Sequence, residues 1–200
     1  MDRREALDLL GSYLMLSFAF AVYFARDSWL SAPFAPEAWS ALVEPFKLSL
    51  VTLGPSFVVH ELAHRAVAMR WGASARYVAW WSGLALTVIM ALFLGIVFAM
   101  PGAVVTSYLP PERMGRAALA GPLSNLCLIP AFASLSTLGG AWEVVSHYGT
   151  VINAFFAFFN SLPIRVGGRP LLDGAHIREW NPLVQTGFTL ISLLVLVAVM

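Results

Sequence analysis

Charged residues and cysteine are both scarce in this chain. Only 12% of its 200 residues are charged, whereas 59% are hydrophobic. Soluble globular proteins contain about 25% charged and about 45–50% apolar residues, so this composition excludes an ordinary soluble domain and a disordered chain. The single cysteine, Cys127, excludes an intrachain disulfide, and a net charge of +1 gives no basis for a nucleic-acid partner. We therefore take the lipid bilayer as the solvent of this protein.

Six long apolar runs dominate the sequence. A helix that crosses a bilayer needs about 20 mostly apolar residues, and each run approaches or reaches that length. The runs predict an all-α, polytopic membrane protein in one domain covering residues 1–200, with a bundle of five to six transmembrane helices. The last run ends at Met200, which leaves open a natural protein that continues further. The runs occupy residues 6–25, 48–71, 83–100, 116–138, 145–162 and 184–200.

The distribution of basic residues bears on how the chain crosses the membrane. If all six runs cross, the lysines and arginines divide almost evenly between the two sides. If residues 77–111 enter the membrane and return to the same side, only Arg26 and Lys47 lie on the far side. Cytoplasmic loops carry an excess of Lys and Arg. We therefore favour five crossings plus a re-entrant helix and strand-like run between the second and fourth apolar segments, with a cytoplasmic N-terminus.

Three ionisable residues interrupt the second apolar run, at His60, Glu61 and His64. Such residues are costly inside a membrane and are functional candidates by default. Positions i and i+4 share a helix face, so both imidazoles can reach one ion. This is the H-E-x-x-H pattern of zinc metalloproteases, in which the histidines bind zinc and the glutamate is the base. The alternative is a polar contact between helices, in which Glu61 pairs with Arg65.

A third metal ligand is expected elsewhere in the chain, because catalytic zinc usually has three protein ligands and one open position. Asp173 stands out among the other acidic residues because it follows the fifth apolar run. Gly174 permits a sharp turn that would aim this carboxylate into the bundle. His176 is a further candidate ligand, although a supporting or interfacial role is favoured for it.

Three motifs together resemble the site-2 proteases, a family of intramembrane zinc metalloproteases. The first is His60-Glu61-x-x-His64. The other two are Ala120-Gly121-Pro122-Leu123 with Asn125 beyond it, and Asn160-x-x-Pro163 followed by Pro170-x-x-Asp173-Gly174. The resemblance covers about residues 48–180. The chain departs from the family pattern in the spacing between Asn160 and Asp173, where residues 165–169 resemble a small polar insertion.

The resemblance implies one Zn²⁺ per chain, held by His60, His64 and Asp173, with Glu61 as the catalytic base. Asn160 matches the family asparagine that helps to hold the substrate backbone or the developing oxyanion. The implied partner is a transmembrane protein substrate, cut within or near its membrane segment in regulated intramembrane proteolysis. The resemblance is to the archaeal and bacterial type, which implies the plasma membrane of a prokaryote. The site is expected to open toward the cytoplasm, and the resemblance does not fix the oligomeric state.

Three residues are candidates for substrate binding. Asn125 could lie near the metal or serve in helix packing alone, and the sequence leaves both readings open. Val104 and Val105 lie in the strand-like run at residues 103–107. An exposed strand edge can bind an unwound substrate by adding it as a further strand.

Two other classes of function stay open at this point. A metal transporter or channel would use the histidine pair as a transit site, but such proteins often show paired repeats with broken helices, and the sequence shows no internal repeat. A non-proteolytic binder of transmembrane partners would have no need for Glu61 as a base.

Overall fold

The computed structural model describes residues 1–32, 35–97, 99 and 101–200. The end of the predicted third run, at residues 98 and 100, lies outside the described residues. The first elements are α1 (Arg3–Phe24), α2 (Arg26–Ser31), α3 (Pro36–Val51), α4 (Leu53–Arg70), β1 (Ala75–Ala79), α5 (Trp81–Leu94) and β2 (Gly102–Thr106). They are followed by α6 (Pro111–Ser134), α7 (Ala141–Ser161), β3 (Arg165–Val166), β4 (Arg169–Pro170), α8 (Asp173–Trp180) and α9 (Pro182–Val199).

The chain divides into two compact units. Residues 1–57 and 77–103 form the first. In this unit α1 packs against α3 and α5. Small apolar residues such as Ala21 and Ala91 are fully buried between these helices, together with Leu42 of α3. Small side chains let helix backbones approach closely, which is how helices associate when lipid offers no hydrophobic advantage.

Helix α3 was not among the predicted elements, since the second apolar run was expected to begin at residue 48. Its sequence contains Glu37, Glu44, Pro45 and Lys47, so an apolar pattern does not reveal it. Pro36 occupies the first turn of the helix, where the missing N–H has no intrahelical partner to lose.

A helix interruption separates α3 from α4 at Thr52, where φ is −114° and ψ is −72°. Pro55 follows three residues later and has no N–H to donate to the carbonyl of Val51. The sequence predicts a kink from Gly54-Pro55, and the structure confirms a break in the helix just before this pair. Gly54 is also required for packing, because a Cβ there would collide with the ring of Tyr13.

The second unit contains residues 58–76 and 104–200. Helix α6 packs against α7 and α8, and α9 packs against α7 and α8. A small apolar cluster of Ala68, Ala73, Leu109 and Ala117 joins the end of α4 to the start of α6.

Within the part of the chain that the structure describes, four segments are long and apolar enough to cross a membrane: Arg3–Phe24, Pro36–Arg70, Pro111–Leu138 and Pro182–Val199. Helix α5 is apolar but has only 14 residues, about 21 Å at 1.5 Å per residue. Helix α7 corresponds to the predicted fifth run, but it is not among the four segments. The described residues thus contain four candidate spans, consistent with a helical membrane protein, and the bundle of five to six crossings stays a prediction.

Two small two-stranded sheets accompany the helices. The strand-like run predicted at residues 103–107 is confirmed by β2, which pairs with β1. The predicted polar insertion at residues 165–169 is a β-hairpin, with Val166 paired to Arg169. Its two turn residues, Gly167 and Gly168, have φ of 58° and 79°, as the tightest hairpin turns require.

Candidate metal centre

Helix α4 brings two imidazoles together on one face. His60 and His64 lie one helical turn apart, and their Nε2 atoms are 3.0 Å from each other. Both residues are largely enclosed, and His60 is only 6% exposed. Two imidazole nitrogens this close, in an otherwise apolar helix, are expected to share a cation, since an unpaired polar group there is costly.

A carboxylate from a distant part of the chain completes the group. Asp173 is the first residue of α8. Its Oδ2 atom lies 3.2 Å from Nε2 of His60 and 3.3 Å from Nε2 of His64. The structure thus brings together the three ligands that the sequence analysis named.

The spacing of these three atoms suits a tetrahedral ion. An ion with bonds of about 2.0–2.1 Å holds its ligand atoms about 3.3–3.4 Å apart, close to the distances found here. Gly121 of α6 provides the room, because a Cβ at this position would collide with Nε2 of His64 and lie 2.7 Å from Nε2 of His60. The donor set of two imidazoles and one carboxylate is typical of catalytic zinc, and these residues fit that ion.

The second nitrogen of each imidazole is hydrogen-bonded to an oxygen. Nδ1 of His60 lies 2.7 Å from Oδ1 of Asn125, and Nδ1 of His64 lies 2.8 Å from the carbonyl oxygen of Ala117. Since these oxygens accept, each Nδ1 carries the proton, and Nε2 is the nitrogen available to a metal ion. Such partners fix the tautomer and orientation of metal-binding histidines.

Glu61 lies beside the three ligands but is not one of them. It is 8% exposed, and it interacts electrostatically with His60, His64 and Asp173. A buried carboxylate in this position can hold a water next to the metal site and take its proton.

Opposing effects set the acidity of Asp173. Burial raises the pKa of its carboxyl group, but the charges and hydrogen bonds of His64 and His60 lower it more. The result is a pKa well below its usual range. The carboxylate therefore stays ionised, which is the form that binds a cation.

Close packing against the end of α7 positions Asp173. Gly174 approaches the carbonyl oxygen of Ser161 so closely that a Cβ would collide with it. The prediction of a sharp turn at Gly174 is wrong, because Gly174 lies within α8 and does not adopt a positive φ. The glycine is needed for space rather than for backbone freedom.

The β3–β4 hairpin is tied to α8 by an ion pair between Arg165 and Glu179. The hydrogen bond from Arg165 lowers the pKa of Glu179. His176 lies on the same helix, with its Nδ1 atom 3.4 Å from Oε2 of Glu179. His176 is thus not part of the three-ligand group.

The other predicted site residues occupy different surroundings. Asn125 is fully buried and contacts His60. Asn160 lies at the end of α7 and donates its side-chain amide to the carbonyl oxygen of Phe156, at 3.1 Å. Val104 and Val105 lie in the middle of β2, where Val105 is 55% exposed.

Sequence reasoning missed the roles of Gly121 and Asn153. Gly121 was noted as part of a motif, but only the folded chain shows that it faces both imidazoles. Asn153 lies within the fifth apolar run and is fully buried, with Oδ1 2.9 Å from Nδ2 of Asn125. A lone asparagine in an apolar run was the signal that could have identified it.

Comparison with known proteins independently supports a zinc metalloprotease. A protein of Methanocaldococcus jannaschii named "Putative zinc metalloprotease MJ0611" is 37% identical over 188 residues, which cover 92% of this chain and 87% of the relative. "Putative zinc metalloprotease Rip3" of Mycobacterium tuberculosis is 33% identical over 136 residues, which cover 65% of this chain and 30% of that protein. No protein-family model and no solved structure matches the chain.

The apolar helices and the two-histidine, one-aspartate group are those expected of a membrane metalloprotein. The chain belongs to the same family as the Methanocaldococcus relative, a family of zinc metalloproteases.

Proposed function

We propose that this chain is an intramembrane zinc metalloprotease of the kind represented by the site-2 proteases. In this proposal it is a metalloendopeptidase that hydrolyses a peptide bond within or near the transmembrane segment of a membrane-protein substrate, in regulated intramembrane proteolysis. One observation carries the proposal: two members of the His60–His64–Asp173 group lie on α4, which belongs to the candidate span Pro36–Arg70.

Each residue of the group has a separate task. His60, His64 and Asp173 would hold one Zn²⁺ per chain. When bound, zinc lowers the pKa of a water to about 7 and polarises a carbonyl oxygen. Glu61 accepts the proton of the attacking water and later delivers it to the leaving amine. Glu61 is buried, and the imidazoles and Asp173 act on it electrostatically.

Asn160 is the proposed donor to the substrate backbone or to the developing oxyanion. Its amide is occupied by Phe156 of its own helix, so the side chain must rotate when substrate binds. Asn160 is the penultimate residue of α7, where the helix ends and a side chain can change rotamer with little loss of packing.

The edge of β2 is the proposed site for an unwound segment of substrate. At the two ends of the ladder, the N–H of Trp80 donates to the carbonyl of Pro101 and the N–H of Ser107 donates to the carbonyl of Ser74. In an antiparallel ladder the bonding positions alternate, so Val105 is directed toward β1 and the N–H and C=O of Val104 are directed away from it. A substrate strand would pair with this edge of β2, opposite β1.

The proposed orientation places the N-terminus and the opening of the site on the cytoplasmic side of a prokaryotic plasma membrane. It rests on the distribution of Lys and Arg and on the shortness of α5. The 14 residues of α5 cover about 21 Å, less than the hydrocarbon thickness of about 30 Å, which favours a re-entrant element.

Metal removal tests the proposed function. Purified protein in lipid vesicles is expected to cleave a single-span substrate, to lose this activity after chelation, and to regain it with added zinc. A water-soluble version of the substrate's flanking sequence serves as the control. Zinc flux into vesicles without any cleavage would contradict the proposal and favour a transporter.

A further inference from the structure

A buried chain of side-chain amides lies behind His60. Asn125 of α6 and Asn153 of α7 are both 0% exposed. Nδ2 of Asn125 lies 2.9 Å from Oδ1 of Asn153, and Nδ2 of Asn153 lies 2.8 Å from the carbonyl oxygen of Gly149. The chain thus connects His60 of α4 with two further helices and ends on a main-chain carbonyl.

Donor and acceptor roles along this chain are mutually fixed. If Nε2 of His60 binds the metal, Nδ1 carries the proton, and it donates to Oδ1 of Asn125. Asn125 must then present its NH₂ group to Asn153, which accepts with its own Oδ1 and donates onward to Gly149. Every amide therefore has one allowed orientation, and each hydrogen bond supports the next.

The packing of α6 on α7 makes this contact possible. A Cβ at Gly149 would collide with the ring of Phe132, so the glycine permits a close approach of the two helices. Asn153 lies one turn beyond Gly149 on α7, and the close approach brings its amide within reach of Asn125.

The two histidines are held in different ways. His64 is held by the main-chain carbonyl of Ala117, which no side-chain substitution removes. His60 depends on the side chain of Asn125 and, through it, on Asn153. The orientation of the His60 ring therefore depends on side chains, whereas that of His64 depends on the main chain.

We propose that Asn125 and Asn153 are positioning residues that fix the tautomer and ring orientation of His60 for metal binding. Asn153 is hydrogen-bonded to Asn125 and acts on His60 through it. The proposal rests on the proposed function only in that zinc is the metal bound. It assigns Asn125 to the metal ligand rather than to substrate.

Zinc affinity measured by competition with a chelator tests this proposal. Loss of a partner behind a metal-binding histidine typically lowers metal affinity about 10–100-fold. Asn125→Leu and Asn153→Leu are both expected to fall in that range. Asn153→Asp keeps an oxygen toward Asn125 and is expected to retain more affinity than Asn153→Leu. Ser146→Ala is the matched control, because Ser146 is buried on α7 and bonds to Ala133 of α6 away from the metal group.

A double-mutant comparison separates positioning from simple packing. Adding Asn153→Leu to Asn125→Leu is expected to lower zinc affinity little further, because the connection to His60 is already broken. If the two substitutions acted only through packing, their effects on zinc affinity would add. Each substitution would then also lower the melting temperature of the zinc-free protein.

The results distinguish this proposal from the proposed function. Zinc binding by Asn153→Leu equal to wild type, or an equal loss in Ser146→Ala, overturns the positioning role. Should Asn153→Leu fail to fold, Asn153→Asp and Asn125→Leu supply the same comparison. Failure of the wild type to cleave any substrate while it still binds zinc would overturn only the proposed function.

Discussion

Gly121 illustrates how a residue without a side chain can define a metal site. The space that its Cβ would fill is bordered by Nε2 of His60 and of His64. The candidate site therefore combines three potential ligands with one position that has no room for a Cβ. Hydrophobic patterning reveals neither feature, since it places both histidines and Gly121 in apolar runs and Asp173 outside them.

Gly121→Ala is expected to lower the zinc content of the protein strongly, because the added methyl group occupies the position between the imidazoles. Alanine favours a helix over glycine by about 1 kcal/mol, so the helix itself should not suffer. Zinc per chain, measured by elemental analysis of the folded protein, is the readout.

Gly187→Ala provides the control for this substitution. A Cβ at Gly187 of α9 meets no heavy atom of the described residues within 4 Å. This variant is expected to keep its zinc. Full zinc occupancy in Gly121→Ala would contradict the assignment of the metal position.

At the scale of elements, the end of α7 positions both α8 and α9. The carbonyl oxygen of Ser161 accepts hydrogen bonds from Gln185 at 3.0 Å and from Thr189 at 3.1 Å. The same carbonyl contacts Gly174 of α8. These bonds from α9 satisfy a helix-end carbonyl, and the close approach of Gly174 to the same carbonyl sets the start of α8, where Asp173 reaches the histidines.

Sequence patterns predicted some of these elements and not others. The i, i+4 spacing identifies His60 and His64, and the β-branched run identifies β2, because both signals are local. Helix α3 was not predicted, because its charged residues and Pro45 interrupt the apolar pattern. The role of Asn125 could not be settled, since it depends on which side chains of α4 and α7 face it.

A substitution in strand β2 tests whether its edge binds substrate. Val104→Pro removes the N–H that points away from β1 and is expected to reduce cleavage at least about tenfold without changing zinc content, since proline cannot donate to an added strand. Val104→Thr keeps the N–H and the β-branched shape, and it is expected to stay near wild type. Normal cleavage by Val104→Pro would exclude substrate binding at this edge.

At the scale of the whole molecule, crossing number and orientation determine which side of the membrane the metal site faces. Leu138 and Val166 are both 63% exposed, and they flank α7. In a Cys127→Ser background, cysteines at these two positions and one appended to the N-terminus can be labelled with an impermeant maleimide.

Five crossings with a re-entrant element predict that the N-terminus and position 166 are labelled from the cytoplasmic side, and position 138 from the opposite side. Six crossings would place the N-terminus and position 166 on opposite sides. Labelling of that second kind would contradict the proposed topology.

Cleavage by wild type and by Glu61→Gln, with zinc quantified in both, tests the central claim most directly. The substrate is a single-span protein in lipid vesicles, and mass spectrometry of the products locates the cut. We expect zinc in both proteins, cleavage only by wild type, and a cut within or beside the substrate's transmembrane segment. Equal cleavage by Glu61→Gln, or a correctly folded wild type that binds no zinc, would contradict the account.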